Sequence, residues 1–227
     1  MKIAIIGAMK EEVASLISLL QNHSTRLISP YEFHLGTLYH HEVVVAEGGV
    51  GKVMSGMLMA SLLQNFTVDV IINLGVAGGL GDVKIGDVVV GEVCVYGDVD
   101  ISSGGHYQYG QMARCPRLFL GSPELLAITK KLPAIHAAIM SNDRFATDRN
   151  ELNELIAKHF SDLEVRAVDM ESAALAQGAY VMKVPHLAIR AISDVVGSEN
   201  QTDEFQNHLD YACEKGHKFL LSLLEKI

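Results

Sequence analysis

Apolar residues come in short runs that close on glycine, and between the runs they recur at helical spacing. Residues 2–7 (KIAIIG) are one such run, ended by Gly7, which suits a strand buried on both faces. Val13, Leu16, Ile17 and Leu20 follow three and four residues apart, so the order is strand, loop (GAMKE), helix. The plan repeats at VVVAEGG (43–49), with its loop at GGVGK, and at VDVIINLGVAGG (68–79). Between these, residues 53–63 (VMSGMLMASLL) are apolar nearly all round; such a helix is covered on every side, by a core or by another subunit.

Further along, residues 87–100 predict one long strand or two short ones, and the Gly-, Ser- and Pro-rich stretch 101–123 predicts a long surface loop. Helices over 123–131 and 149–160 flank a strand at 136–141. Strands at 165–170 and 186–194 enclose an Ala-rich helix, 171–182. Phe205, Leu209, Ala212, Phe219 and Leu223 mark an amphipathic C-terminal helix. Strands alternating with helices define an α/β fold with a mixed, largely parallel sheet covered on both faces. No linker, low-complexity tract or repeat divides the chain, so residues 1–227 read as a single domain. In such folds ligands lie beyond the carboxyl ends of strands. That directs attention to Gly7–Glu12, Gly48–Lys52, Gly75–Gly79, Asp169–Glu171 and Arg190–Asp194.

Composition narrows the function classes. The chain has 18 Lys and Arg against 27 Asp and Glu, a net charge of −9. An acidic surface repels phosphate backbones and anionic membranes, so no nucleic-acid or membrane partner is expected. Cys94, Cys115 and Cys213 are too few and too scattered for a disulfide framework, which fits a reduced, cytoplasmic protein. There is no apolar run long enough to span a membrane, and Lys10, Glu11 and Glu12 cut short what begins like a signal peptide.

Several familiar motifs fail. GGVGKV resembles a phosphate loop, but Ala46 and Val53 stand where GxxxxGK[ST] needs Gly and Ser or Thr. No GxGxxG opens the first helix, no metal-ligand spacing of His or Cys occurs, and no GxSxG elbow is present. What remains is a set of acids at strand ends: Glu12, Glu171 and Asp194. Any one alone reads as a helix cap or first-turn acid. Three at one sheet edge are harder to dismiss, because burying like charges together costs several kcal/mol unless they are protonated, bonded or used. Arg190 could offset part of that, and even spacing places it on the strand face of Asp194.

MKIAIIGAMKEEV, GGVGKV, VDVIINLGVAGGL, VDMESAALA and AIRAISD, in this order, resemble the 5′-methylthioadenosine/S-adenosylhomocysteine nucleosidases of the purine nucleoside phosphorylase superfamily. The resemblance runs from residue 1 to the C-terminal helix. It implies a three-layer sandwich with a central mixed sheet, a homodimer, a small nucleoside substrate, no metal, no cofactor and a place in methionine salvage. It implies hydrolysis of the bond between adenine and ribose. Asp194 matches the acid that protonates N7 of the leaving base, and Glu12 the residue that activates water. Glu171 matches the acceptor for the ribose hydroxyls, with Met170 packed on the sugar; Arg190 would help place water and carboxylates. Phe145 matches a ring stacked on adenine, with the backbone of Ala146 at the base edge and Ser193 orienting Asp194. Met9, Val76, Ala77, Gly78 and Tyr107 complete the implied substrate contacts.

The chain also departs from that pattern. Val76 replaces a usual Ser, removing a neutral hydrogen bond worth about 1 kcal/mol. Asp169 stands where Glu is common; Gly105 and Thr202 replace Phe, and Ala113 replaces Pro. The changes at 105, 113 and 202 predict a smaller-lined, more polar 5′ pocket and an altered 5′ preference. Three rival readings stand beside this one: a phosphorylase of the same fold, a hydrolase of another purine nucleoside such as futalosine, and a silent nucleoside-binding protein. Against phosphorolysis, the glycine loops carry no Arg between Arg26 and Arg114, and the first loop offers Glu11 and Glu12.

Overall fold

Each apolar run read above as a strand is a strand in the computed structural model, which describes all 227 residues. The elements are β1 (Lys2–Gly7), α1 (Lys10–Leu19), β2 (Gln21–Ile28), β3 (Tyr31–Leu38), β4 (His41–Glu47) and α2 (Lys52–Asn65). Next come β5 (Val70–Gly79), β6 (Val88–Tyr96), β7 (Phe119–Leu120), α3 (Pro123–Thr129), β8 (Ile135–Ser141) and α4 (Arg149–His159). The chain ends with β9 (Val165–Asp169), α5 (Ser172–Met182), β10 (His186–Val195) and α6 (Gln201–Leu224).

The mixed α/β architecture holds, but the three-layer sandwich does not describe it. β5 pairs in parallel with β10, β10 antiparallel with β6, β6 in parallel with β8, and β8 in parallel with β9. β9 then returns antiparallel to β5 through Gly78–Val168 and Gly79–Ala167, closing a five-stranded barrel. β1, β4, β3 and β2 extend from β5 as an open wing. Closure depends on the glycine end of β5. A Cβ on Gly79 would lie 2.5 Å from Val83 Cγ2 and 3.0 Å from Ile192 Cγ2, so side chains there would hold the neighbouring strands apart. Hydrophobic periodicity identifies strands but not their partners, which is why the closure is absent from the pattern.

The β2–β3 hairpin also goes unannounced. β2 (QNHSTRLI) is polar and almost wholly exposed, as suits an edge strand that must not pair with other chains. β3 is half-buried and sends Tyr31 and Phe33 into a cluster with Leu58, Met59 and Leu62 of α2. Along β1 and β4 successive side chains face opposite ways. Ile3, Ile5, Val43 and Val45 pack with Leu16 of α1 and Leu220 of α6, whereas Ala4, Ile6, Val44 and Ala46 join α2 and α5. Each such buried Ile or Leu contributes about 1.5–3 kcal/mol, so both layers hold the carboxyl ends of β1 and β5 firmly in place. The helix expected to be covered all round has Leu58, Met59 and Leu62 buried, but Val53 is 72% exposed and Met57 48%.

Candidate active site

α1 begins one turn after β1, and its first-turn acid bends back toward the loop. Glu12 Oε2 accepts the Ala8 and Met9 N–H groups at 2.6 and 3.0 Å, and Oε1 accepts that of Val76 at 2.9 Å. Glu12 is thus a first-turn acid and a fixed carboxylate at once. Burial pushes its pKa up, while Arg190 and the three backbone donors pull it down; burial wins. Gly75 permits this geometry, because a Cβ there would sit 2.6 Å from Glu12 Oε1 and 3.0 Å from Arg190 Nη1. Val76 loses the hydroxyl but keeps the backbone donor.

The GGVGK loop serves the second carboxylate. Gly51 has φ +95°, a backbone region that favours glycine, and its N–H donates to Glu171 Oε1 at 2.8 Å. Glu171, at the N-cap of α5, has its pKa raised to about 7, first by burial and then by neighbouring Asp169. Asp169 is the direct partner of Arg190: Nε donates to Oδ2 at 2.7 Å. Ser141 and Ser172 also donate to Asp169, and Arg190 Nη1 donates to Asn73 Oδ1 at 3.0 Å. Glu171 Oε2 lies farther from the guanidinium, 3.9 Å from Nη2.

Asp194 stands apart from that charge network. β10 carries an irregularity between Ile192 and Asp194, where Ser193 is an extra residue against β5. A bulge breaks the two-residue alternation, so even spacing no longer puts Asp194 beside Arg190. The offset by Arg190 expected for the three acids therefore reaches Glu12 and Glu171 but not Asp194. Asp194 accepts instead from Ser193 Oγ at 2.7 Å and from Gln201 Nε2 at 2.8 Å. Burial raises its pKa, opposed by these two donors and assisted by the charge of Glu204.

Glu12, Glu171 and Asp194 open into one cavity. Met9, Val76, Ala77, Gly78, Phe145, Met170 and Ser193 line it with them. Ala146 lines a smaller adjoining cavity with Phe145, Asp194 and Gln201. Arg190 does not line the cavity; it lies behind the carboxylates, 1% exposed, and acts on them rather than on its contents. Tyr107 lies outside it too, as do Gly105 and Ala113, because the 97–118 segment runs beside α2 and α5 instead; Thr202, on α6, is likewise outside. The more polar 5′ lining expected from those positions is consequently not found within the chain: Met9, Val50, Phe145 and Phe205 supply an apolar wall. Phe205 was legible only as a core position of α6, yet its ring meets that of Phe145 edge-on, with centroids 5.7 Å apart. No group of three or more His, Cys, Asp or Glu is placed to hold a metal ion, and no helix is long and apolar enough to cross a membrane.

The sequence model of the phosphorylase superfamily matches residues 2–225 of this chain. A 5′-methylthioadenosine/S-adenosylhomocysteine nucleosidase of Listeria innocua is 36% identical to the chain, and the match covers 100% of each. The nucleosidase of the same description from S. pneumoniae, solved with the transition-state inhibitor MT-ImmA, superimposes with a TM-score of 0.92 at 37% identity, covering 99% of this chain and 98% of that one. The Streptococcus pneumoniae enzyme with 8-aminoadenine gives a TM-score of 0.93 at 38% identity over 100% of both chains. The chain belongs to the 5′-methylthioadenosine/S-adenosylhomocysteine nucleosidase family.

Proposed function

We propose that the protein hydrolyses the N-glycosidic bond of 5′-methylthioadenosine and S-adenosylhomocysteine, releasing adenine. The observation that carries this reading is a cavity lined by Glu12, Asp169, Glu171 and Asp194 with no lysine or arginine in its wall. Negative charge suits a ribosyl group that becomes cation-like as the bond breaks. The same charge repels phosphate, whereas a phosphorylase needs cations or free N–H donors at the acceptor position. The Ala8, Met9 and Val76 N–H groups are already bonded to Glu12.

Asp194 supplies the proton to N7 of the base; a raised pKa keeps a proton available toward neutral pH. Glu12, raised but held by three donors, removes the proton from the attacking water. Glu171 accepts the ribose hydroxyls, Phe145 stacks on the base, and Arg190 sets the charge of the carboxylates from behind. The C1′–N9 electron pair passes to the purine, which takes the proton of Asp194, and water becomes the new hydroxyl on C1′. We assign the 5′ substituent to Met9, Val50 and Phe205. The replacements at 105, 113 and 202 lie outside this chain's cavity and bear on that end only from a second copy, where they would leave it open to a large substituent.

Phosphate-free incubation with 5′-methylthioadenosine and with S-adenosylhomocysteine tests the reading. Adenine and a free 5-thio sugar are expected, with comparable kcat/KM for the two substrates. Adenine release only on adding phosphate, with the 1-phosphate of the 5-thio sugar as the other product, would overturn it. A strong preference for the methylthio compound would remove the altered 5′ selectivity alone.

We infer that two copies pair through α2 and α5. Val53, Met57, Tyr180, Val181 and Met182 form an apolar face there, each 48–72% exposed. Light scattering should give a solution mass of two chains, and Val53→Glu with Val181→Glu should return it to one; a monomeric parent protein would refute the pairing. The three unpaired cysteines support a reducing, cytoplasmic setting.

A further inference from the structure

Gln201, the first residue of α6, is 5% exposed, and its carboxamide is bonded at both ends. Oε1 accepts the Gly197 N–H at 2.9 Å. Nε2 donates to the Ala146 carbonyl and to Asp194 Oδ2, each at 2.8 Å. One side chain thereby joins the glycine turn after β10, the loop carrying Phe145, and the carboxyl group assigned as the acid. We propose that Gln201 is a positioning residue for proton transfer, holding Asp194 Oδ2 and stabilising the carboxylate that remains once the proton has moved to the base. This rests on the assignment of Asp194 as the acid.

The two donors to Asp194 are not equivalent. Ser193 Oγ lies 2.7 Å from Asp194 Oδ1 and 3.4 Å from the Ala77 carbonyl, so its hydroxyl can turn and accept from a protonated carboxyl. The nitrogen of Gln201 is an NH₂ group and can only donate. Its bond therefore always favours the ionised form, against the burial that favours the neutral one. In the reaction the C1′–N9 bond breaks, its electron pair enters the purine, and the Asp194 proton passes to N7. The new carboxylate then meets a donor already in place and needs no reorganisation. The bond to Ala146 ties the base-edge loop to the same amide, so stacking partner and acid keep one geometry.

The other charges nearby do not duplicate this role. Glu204 of α6 raises the pKa of Asp194 and is itself bonded to the Val195 N–H. Asp169 of β9 and Arg144 of the base-edge loop line the small cavity with Asp194 but make no hydrogen bond to it. Arg149 of α4 gives its Nε to the Val196 carbonyl.

Gln201→Met keeps the length and removes the donors. Without the bond the protonated acid persists to higher pH, so the alkaline limb of the kcat profile should move up by about one unit, and kcat should fall about tenfold because the proton is held more tightly. Gln201→Lys, which keeps a donor and adds a positive charge, should move the limb down, and it serves as well if the Met variant does not fold. Carbon-13 titration of aspartate-labelled protein, with the Asp194 signal assigned through Asp194→Asn, should show the same shifts without substrate. A merely structural Gln201 would raise KM and lower the melting temperature while leaving the limb in place. An unmoved limb with an unmoved carboxyl titration in these variants overturns the proposal. Wild-type turnover by Asp194→Asn would instead overturn the acid assignment, so the two failures are separable.

Discussion

Asp194→Asn is expected to lower kcat by about 10²–10⁴-fold while KM changes by no more than a few-fold. Asparagine has the shape of aspartic acid and can still meet Ser193 and Gln201, so the bulged end of β10 keeps its form. What is lost is a transferable proton. Adenine leaves poorly as an anion, and without protonation at N7 the bond-breaking step carries the whole cost of that charge. The interaction exists only as the bond breaks, so its removal acts on kcat and kcat/KM alike rather than on substrate affinity. Two readouts isolate the cause. Single-turnover adenine release should fall as far as kcat, which places the defect in chemistry and not product release. The alkaline limb of the kcat profile should disappear, because no group remains whose deprotonation switches the step off. Wild-type turnover, or an intact alkaline limb, would show that another group donates the proton.

Much of this site was legible residue by residue, and its connections were not. Glu12, Glu171 and Asp194 follow apolar strands at their carboxyl ends, and the ligand-binding ends of α/β sheets lie there. That logic placed all three in one cavity. Arg190 misled because two-residue alternation assumes an uninterrupted strand, and the extra residue at Ser193 turns Asp194 away from it. Asp169, in the sequence only a position where Glu is common, is the direct counter-ion of Arg190. Gln201 gave no signal, since a polar residue opening a helix is ordinary until its two acceptors are brought together from residues 146 and 194. The same limit governs the fold. Runs ending in glycine announce strands, yet barrel closure is a pairing between β5 and β9 across about ninety residues of chain, which no local window contains.

Arg190→Met should destabilise the protein by about 3–5 kcal/mol at pH 8, the usual cost of breaking a buried ion pair by removing one partner. Arg190 is 1% exposed, so water cannot replace it, and Met fills the space without the charge. Asp169 then stays buried with the donors Ser141 and Ser172 but no cation, and Glu12 and Glu171 lose the charge that lowers their pKa values. For a chain of 227 residues this corresponds to a melting temperature roughly 6–20 °C lower. The deficit has a definite pH dependence. Glu171 already titrates near 7, above its ordinary 4.5, because burial disfavours its charge; without Arg190 both it and Glu12 rise further. The folded state then binds more protons than the unfolded state above about pH 4.5, so stability falls as pH rises through that window and recovers as pH falls. The gap between variant and parent should therefore be largest at pH 8 and clearly smaller at pH 5. Activity should decline with it at neutral pH, because a protonated Glu12 no longer takes a proton from water. Equal melting temperatures at pH 8, or a gap that does not narrow toward pH 5, would mean that Arg190 does not hold these carboxylates in their charged form.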